Sequence, residues 1–212
     1  MFATRKRIII PVAALTLVGL IAGAAYLLKI PPFAQQGSIN ANDACASLGS
    51  SQNAVSALKK VLPVDSHYSF DDTPGTRVGQ EDRSYTSSCF VNGGERTILS
   101  ARVQMMRAEP AEGWVRSEVL GYKTGVQDLE SFAAGDKGVT TPTMAAIFVP
   151  CAPAGQIPGG AYNLSVIVEL KEHGESSDTE TRRGLMDLAL GVSDFAHRKA
   201  RCGLPAKLSN GS

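Results

Sequence analysis

A run of 21 uncharged residues at positions 8–28 is the longest apolar stretch of the chain. At a rise of about 1.5 Å per residue, a helix of this length crosses a hydrocarbon core of about 30 Å. Three basic residues at 5–7 precede the run and only Lys29 follows it closely, which favours a cytoplasmic N-terminus. The pattern predicts a cytoplasmic segment at 1–7, a single-pass transmembrane helix at 8–28 and an extracytoplasmic remainder.

A cleaved signal peptide is the alternative interpretation of this run. Ala22-Gly23-Ala24 matches a small-x-small cleavage site. Against cleavage, the apolar run continues for four residues beyond Ala24, and Tyr26 lies where aromatic rings favour the membrane interface. The uncleaved anchor is the favoured prediction, and secretion after cleavage near Ala24 is the alternative. Both place the remaining chain outside the cytoplasm.

A polar, proline-containing stretch at 29–42 is typical of a juxtamembrane linker. After it, apolar side chains recur at helical spacing, namely Leu48, Val55, Leu58 and Leu62. This spacing predicts a helix over 51–62 that ends before Pro63. The folded extracytoplasmic domain is expected over 43–205, with a flexible tail at 206–212.

Five strands are expected in this domain from alternating or continuous apolar patterns. Asn92-Gly93-Gly94 supplies residues that tolerate a tight hairpin turn between two of them. The predicted strands cover 67–71, 85–91, 97–106, 144–149 and 162–170.

The segment from 109 to 143 is broken by glycines and gives weaker signals. Within it, 114–120 fits either a short helix or a strand, and 128–134 fits a helical turn. A Pro/Gly-rich stretch at 152–160 predicts a loop.

A final helix is predicted to run to about Lys199, beginning at the capping-box pattern Ser177-x-x-Glu180. The fold class that follows is α+β, with an N-terminal transmembrane helix before one disulfide-stapled domain. In that domain an antiparallel sheet carries helices packed on one face.

Four cysteines, Cys45, Cys89, Cys151 and Cys202, are widely spaced and form no C-x-x-C motif. In an oxidising compartment an even number of this kind predicts two structural disulfides. Three pairings are possible. The pairing Cys45–Cys89 with Cys151–Cys202 is preferred, because each bond then ties a predicted helix end to a predicted strand within its own half. A weak internal symmetry accompanies this pairing, since each half has a helix and a cysteine-bearing strand.

The charge of the exported part limits its partners. Leaving out four basic residues at 5–7 and 29 reduces the basic count from 21 to 17, against 20 acidic residues. A weakly acidic domain lacks the basic surface that nucleic acids require. The partners predicted are the lipid bilayer through residues 8–28 and an unknown envelope protein or cell-wall component.

No complete catalytic or metal-binding motif is found. The three histidines, His67, His173 and His197, lack the spacing of metal ligands. The acidic pairs at 71–72 and 81–82 lack the spacing of a calcium-binding loop. Gly191-Val192-Ser193-Asp194 shares two residues with a nucleophile elbow but falls inside a predicted helix. No catalytic residue, cofactor or metal is therefore predicted.

Two other patterns allow alternatives. Asn163-Leu164-Ser165 and Asn210-Gly211-Ser212 match the acceptor pattern for asparagine glycosylation. The aromatic residues Trp114, Tyr122 and Phe132 fall in the irregular middle region, where they either line a recognition surface or are buried in a core.

Several features together resemble uncharacterised membrane-anchored envelope proteins of actinobacteria. They are the basic start with a single anchor, Asp43-Ala44-Cys45-Ala46-Ser47-Leu48, Phe148-Val149-Pro150-Cys151, and a final helix running into Arg201-Cys202. The resemblance implies a location outside the cytoplasm and disulfide bonds, and it implies no particular activity.

The leading functional hypothesis is a non-enzymatic binding or accessory protein of the cell envelope, tethered by a single membrane segment. The alternatives are an enzyme or enzyme accessory acting on envelope substrates, and a carrier of lipids or small ligands. An enzyme would need a pocket in which reactive side chains converge, whereas a carrier would need an enclosed apolar cavity.

Overall fold

The structure is a computed structural model that describes residues 37–121 and 128–208. The segment 8–28, predicted to span the membrane, lies outside these residues. Among the helices that the structure describes, none has both the length and the apolar character needed to cross a bilayer.

Seven strands and three helices make up the described part of the chain. The strands are β1 (Tyr68–Thr73), β2 (Thr86–Gly93), β3 (Arg96–Arg107), β4 (Glu130–Phe132), β5 (Lys137–Thr141), β6 (Met144–Ile157) and β7 (Gly160–Leu170). The helices are α1 (Ser51–Val61), α2 (Ala111–Trp114), which continues as a π-helix over Val115–Val119, and α3 (Asp178–Lys199). A 3₁₀ turn at Ala46–Leu48 precedes α1.

All seven strands form one antiparallel sheet in the order β1-β2-β3-β7-β6-β5-β4. At its centre β3 pairs with β7, from Leu99 opposite Leu170 to Arg107 opposite Tyr162. These are the two strands in which apolar residues alternate most regularly along the sequence, as expected for strands whose two faces have different surroundings. The predicted α+β architecture with an antiparallel sheet is confirmed.

The main core lies between one face of this sheet and the helices α1 and α3. Its sheet side consists of alternate residues of the central strands, all less than 5% exposed: Leu99, Ala101, Val103, Met105, Leu164, Val166, Val168, Ala145, Ile147 and Val149. Its helix side includes Leu58, Leu185, Leu188 and Val192. The helical spacing of these apolar side chains therefore corresponds to the buried faces of α1 and α3.

Helix α3 closely approaches the 3₁₀ turn at Gly191 and helix α1 at Gly184. A Cβ atom added at Gly191 would lie 2.5 Å from the carbonyl oxygen of Leu48, and one added at Gly184 would lie 2.4 Å from Cγ1 of Val61. Both separations are shorter than van der Waals contact, so larger residues would push these elements apart.

The opposite face of the sheet is also partly covered, which the prediction of helices on one face did not anticipate. Trp114 of α2 is fully buried there, and its ring stacks on Phe148 with centroids 5.0 Å apart. Its Nε1 donates a hydrogen bond of 2.8 Å to Oγ of Ser165. Phe148 and Ser165 belong to this second face because they alternate with Ile147 and Val166 of the main core.

Two disulfides connect the helix ends to the sheet, in the preferred pairing. Cys45, just before the 3₁₀ turn, is bonded to Cys89 of β2, and Cys202, just after α3, is bonded to Cys151 of β6. Strands β2 and β6 each lie next to the central pair β3–β7. The internal symmetry seen in the sequence thus has a counterpart in the placement of the two bonds.

Both ends of α3 have hydrogen-bonding motifs that commonly terminate helices. Ser177 and Glu180 form the predicted capping box. At the other end the amide of Cys202 donates to the carbonyl of His197, and the amide of Arg201 donates to Arg198. This is a Schellman motif in which Arg201, with φ of 51°, takes the left-handed position usually held by glycine.

Two predictions for the second half of the chain were wrong. The stretch 128–134 is not a helical turn, because it contains β4 and leads into β5, a strand that the sequence did not indicate. The stretch 152–160 is not a loop, because β6 continues to Ile157 with irregular pairing. The pairing of β6 with β5 ends at Phe148, and beyond this residue β6 pairs, among the described strands, with β7 alone. Pro150 and Pro153, which lack a backbone N–H, therefore remove no hydrogen bond to a second strand.

Residues on both sides of the predicted domain limits, 43 and 205, also pack against the domain. Ile39 is 6% exposed and belongs to the core. At the other end, Leu208 bridges to Ala134, and Nζ of Lys207 lies 2.7 Å from Oδ1 of Asp136. The described fold therefore extends from 38 to 208.

Candidate functional site: an arginine-lined groove at the end of the sheet

An open groove of about 490 Å³ lies at the sheet end where β2 begins, β3 ends and β7 begins. We call it the arginine groove. Its main lining residues are Arg83, Ser84, Gln104, Met106, Arg107 and Tyr162. They come from three separate segments of the chain, which the pairing of β2 with β3 and of β3 with β7 brings together.

Arg107 and Tyr162 are held by the hairpin turn between β6 and β7. They are directly opposite each other in the β3–β7 pair, and the Tyr162 hydroxyl donates to the carbonyl of Pro158 at 3.2 Å. Gly160 has φ of 130°, and a Cβ atom at this position would lie 3.4 Å from Nε of Arg107. The Arg107 guanidinium therefore lies beside the Gly160 backbone, at a distance where an added Cβ atom would make ordinary van der Waals contact with it.

Arg83 follows a loop whose backbone carbonyls accept hydrogen bonds from the buried side chain of Arg77. Arg77 is 3% exposed, and its guanidinium donates to the carbonyls of Asp82 at 2.7 Å, of Ala200 at 2.9 Å and of Gln80. The carbonyl of Ala200 is at the C-terminal end of α3, where a cation is favoured by the helix dipole. Burial lowers the pKa of Arg77, and the nearby Asp82 carboxylate partly opposes that shift.

The carboxylate of Asp82 accepts hydrogen bonds from other donors, and that of Glu109 lies near the start of α2. Asp82 accepts from the amides of Val78 and Ser84 and from the Ser84 hydroxyl. These hydrogen bonds, that of the Ser84 hydroxyl foremost, lower the pKa of Asp82. Glu109 faces the start of α2, because its Oε2 lies 3.1 Å from the position of a Cβ atom on Gly113.

Neither Arg83 nor Arg107 has a carboxylate partner among the described residues. Both side chains are exposed. Guanidinium groups form strong, bidentate hydrogen bonds with carboxylates and phosphates. Chemically, the groove is therefore suited to an anionic group, with a tyrosine ring and a methionine beside it for the rest of a ligand.

A second open groove, of about 770 Å³, lies between α1, α3 and the segment after α3. Its acidic residues already have partners, since Asp187 lies 3.8 Å from Lys60 and Asp194 lies 2.9 Å from Arg198. The charged residues of this second groove are thus paired, whereas Arg83 and Arg107 have no carboxylate partner among the described residues, so the arginine groove is the better candidate site.

The sequence-predicted candidates are dispersed. Of the histidines, His67 and His173 are exposed, whereas His197 contacts the carbonyl of Leu204 through Nε2 at 2.8 Å. Within 37–121 and 128–208, no three His, Cys, Asp or Glu side chains form a group suited to a metal ion. Gly191 and Ser193 lie inside α3.

The acidic pairs and the glycosylation pattern also have structural explanations. Asp72 accepts a hydrogen bond from the Ser47 hydroxyl at 2.5 Å, and Asp71 accepts from Asn92 at 2.8 Å. Asn163 is 4% exposed and donates to Asp136, so a glycan cannot be accommodated there in the folded domain. The second acceptor pattern, at 210–212, lies outside the described residues.

The aromatic residues of the middle region have different positions. Trp114 is in the core on the second face of the sheet, and Phe132 is half-buried on β4. Tyr122 lies outside the described residues. The groove residues Arg83, Arg107 and Tyr162 were not predicted as a site, and the one sequence signal nearby was the polar face of the strand at 97–106.

Comparisons with protein-family models, curated protein sequences and solved structures find no match to this chain.

Proposed function

We propose that this chain is a membrane-tethered, extracytoplasmic binding protein of the cell envelope that has no catalytic activity of its own. The observation that carries the proposal is the pair of disulfides. The four cysteines are all bonded, and three of them, Cys45, Cys89 and Cys151, are no more than 3% exposed within the core. Bonds of this kind form and persist outside the reducing cytoplasm.

The tether is supported by the apolar run at 8–28 and the basic residues before it. A binding role is supported by the arginine groove, which offers two cations without acidic partners and includes no histidine or carboxylate in its lining.

Labelling of introduced cysteines on intact cells tests the location. Val78 is 88% exposed, so Val78→Cys should react with a membrane-impermeant maleimide before cells are permeabilised. Ala3→Cys, in the segment before the apolar run, should react only after permeabilisation. Protection of Val78→Cys on intact cells would contradict the proposed topology, and recovery of the protein in the culture medium would favour the cleaved alternative.

A further inference from the structure

We infer that the arginine groove binds a phosphate monoester, carried either by a bilayer lipid or by a soluble or wall-bound molecule. The inference rests on the proposed function, because it names the chemistry of the ligand for the same groove. Its basis is the combination of two exposed guanidinium groups, Arg83 and Arg107, in one groove without an acidic partner among the described residues.

Two arginines suit a phosphate better than a carboxylate. A phosphate monoester carries up to two negative charges and three acceptor oxygens, whereas a carboxylate carries one charge and two oxygens. Guanidinium forks match either group bidentately. With two forks present, a phosphate monoester offers about one negative charge to each, whereas a carboxylate has a single charge to share between them.

Phosphate binding depends on the groove itself, and the charge of the whole exported part does not favour it. The exported part of the chain has 17 basic and 20 acidic residues once the four cations near the apolar run are left out. Its overall charge therefore does not attract anions. Binding of a phosphate has to come from the geometry of the groove, in which Arg107 lies beside Gly160 and Arg83 follows the loop held by Arg77.

The groove is larger than a phosphate ion. A volume of about 490 Å³ also accommodates the alcohol or sugar to which the phosphate is esterified. Gln104 offers an amide to hydroxyl groups of that part, and Met106 and the Tyr162 ring offer apolar contact. The inferred ligand is thus a phosphate monoester whose alcohol part is polar next to the phosphate.

The test uses the full chain in nanodiscs of phosphatidylcholine, titrated with glycerol phosphate by calorimetry. Arg83→Gln/Arg107→Gln should weaken binding at least about tenfold, because each loses a charge-assisted hydrogen bond to the phosphate. Arg116→Gln/Arg183→Gln is the matched control, since it removes the same charge from exposed positions outside the groove and should leave binding unchanged. Glycerate, which replaces phosphate by carboxylate, should bind more weakly.

Nanodiscs that also contain phosphatidic acid, a lipid whose phosphate is a monoester, distinguish the two sources. Weaker apparent binding of glycerol phosphate there means that lipid head groups occupy the groove, and equal binding means that a soluble or wall-bound ester is the ligand. No binding in any nanodisc, equal losses in both double variants, or glycerate binding as tightly as glycerol phosphate would overturn the inference. These outcomes are independent of the labelling on intact cells, so an exported domain without phosphate binding would refute the inference alone.

Discussion

Replacing Arg77 by methionine should destabilise the domain more than any other single arginine substitution in the described chain. Methionine keeps most of the apolar stem and removes the guanidinium, which leaves the carbonyls of Gln80, Asp82 and Ala200 without their donor. A hydrogen bond to a charged group contributes about 1.5–3 kcal/mol. The bond to Ala200 is buried, whereas the other two are partly accessible to water that can replace the guanidinium.

We therefore expect Arg77→Met to lower the free energy of unfolding by about 3 kcal/mol, the upper end of the range for the buried bond alone, because the two partly accessible bonds add a little. This is a large fraction of the about 5–15 kcal/mol typical of a domain. The single tryptophan, Trp114, is fully buried and provides the fluorescence signal for urea unfolding with disulfides intact. Arg83→Met, an exposed arginine six residues later, is the control and should change stability by less than about 0.5 kcal/mol.

A loss below about 1 kcal/mol in Arg77→Met would refute this reasoning, since it would mean that water replaces the guanidinium at all three carbonyls. An equal loss in Arg83→Met would likewise show that the effect does not depend on burial.

Four further predictions concern other contacts. Gly191→Ala should destabilise by about 1–3 kcal/mol in urea unfolding, because the new methyl group meets backbone 2.5 Å away. Arg201→Gly should stabilise by about 1 kcal/mol in the same assay, because glycine takes the left-handed position without strain. Replacing both Cys45 and Cys89 by alanine should remove about 4 kcal/mol, the entropy of closing a loop over a separation of 44 residues, and lower the melting temperature accordingly. Burial raises the pKa of Tyr85, so stability should fall as the pH rises above about 10, where only the unfolded phenol ionises, and Tyr85→Phe should show a smaller fall in urea midpoint.

Each of these four has an opposing outcome. Gly79, whose Cβ position is free of neighbours, provides the control for the glycine substitution, and a similar effect of Gly79→Ala would remove the steric explanation. If Arg201→Gly is instead less stable, the contacts of the Arg201 side chain stabilise the domain by more than the strain of its left-handed backbone destabilises it. If the variant without the Cys45–Cys89 disulfide has an unchanged melting temperature, this bond does not stabilise the domain. An equal alkaline loss in Tyr85→Phe would assign that loss to other groups.

The parts of the fold that the sequence predicted are those determined by local patterns. Alternation in the strand at 97–106, the helical spacing around Leu58 and Leu188, and the capping box at Ser177 each involve residues close in sequence. The disulfide pairing was inferred from the same local elements, since each bond joins a helix end to a nearby strand.

The missed parts depend on contacts between distant segments. β5 is five residues long and pairs with β6, and although its Val139, Thr140 and Thr141 favour a strand, so short a run among glycines gave no clear alternating pattern. The second helix-covered face requires Trp114 to meet Phe148 and Ser165. The arginine groove combines positions 83–84, 104–107 and 159–162, whose proximity follows from strand pairing that no local pattern encodes.

Trapping of thiols in the protein taken directly from its own cells tests the proposed extracytoplasmic location most directly. Cells are quenched with an alkylating reagent, and peptides are mapped without reduction. The expected result is no alkylated cysteine, with the peptide containing Cys45 bonded to that containing Cys89, and Cys151 bonded to Cys202. Four alkylated thiols in the mature protein would contradict both the disulfide-stapled fold and its location outside the cytoplasm.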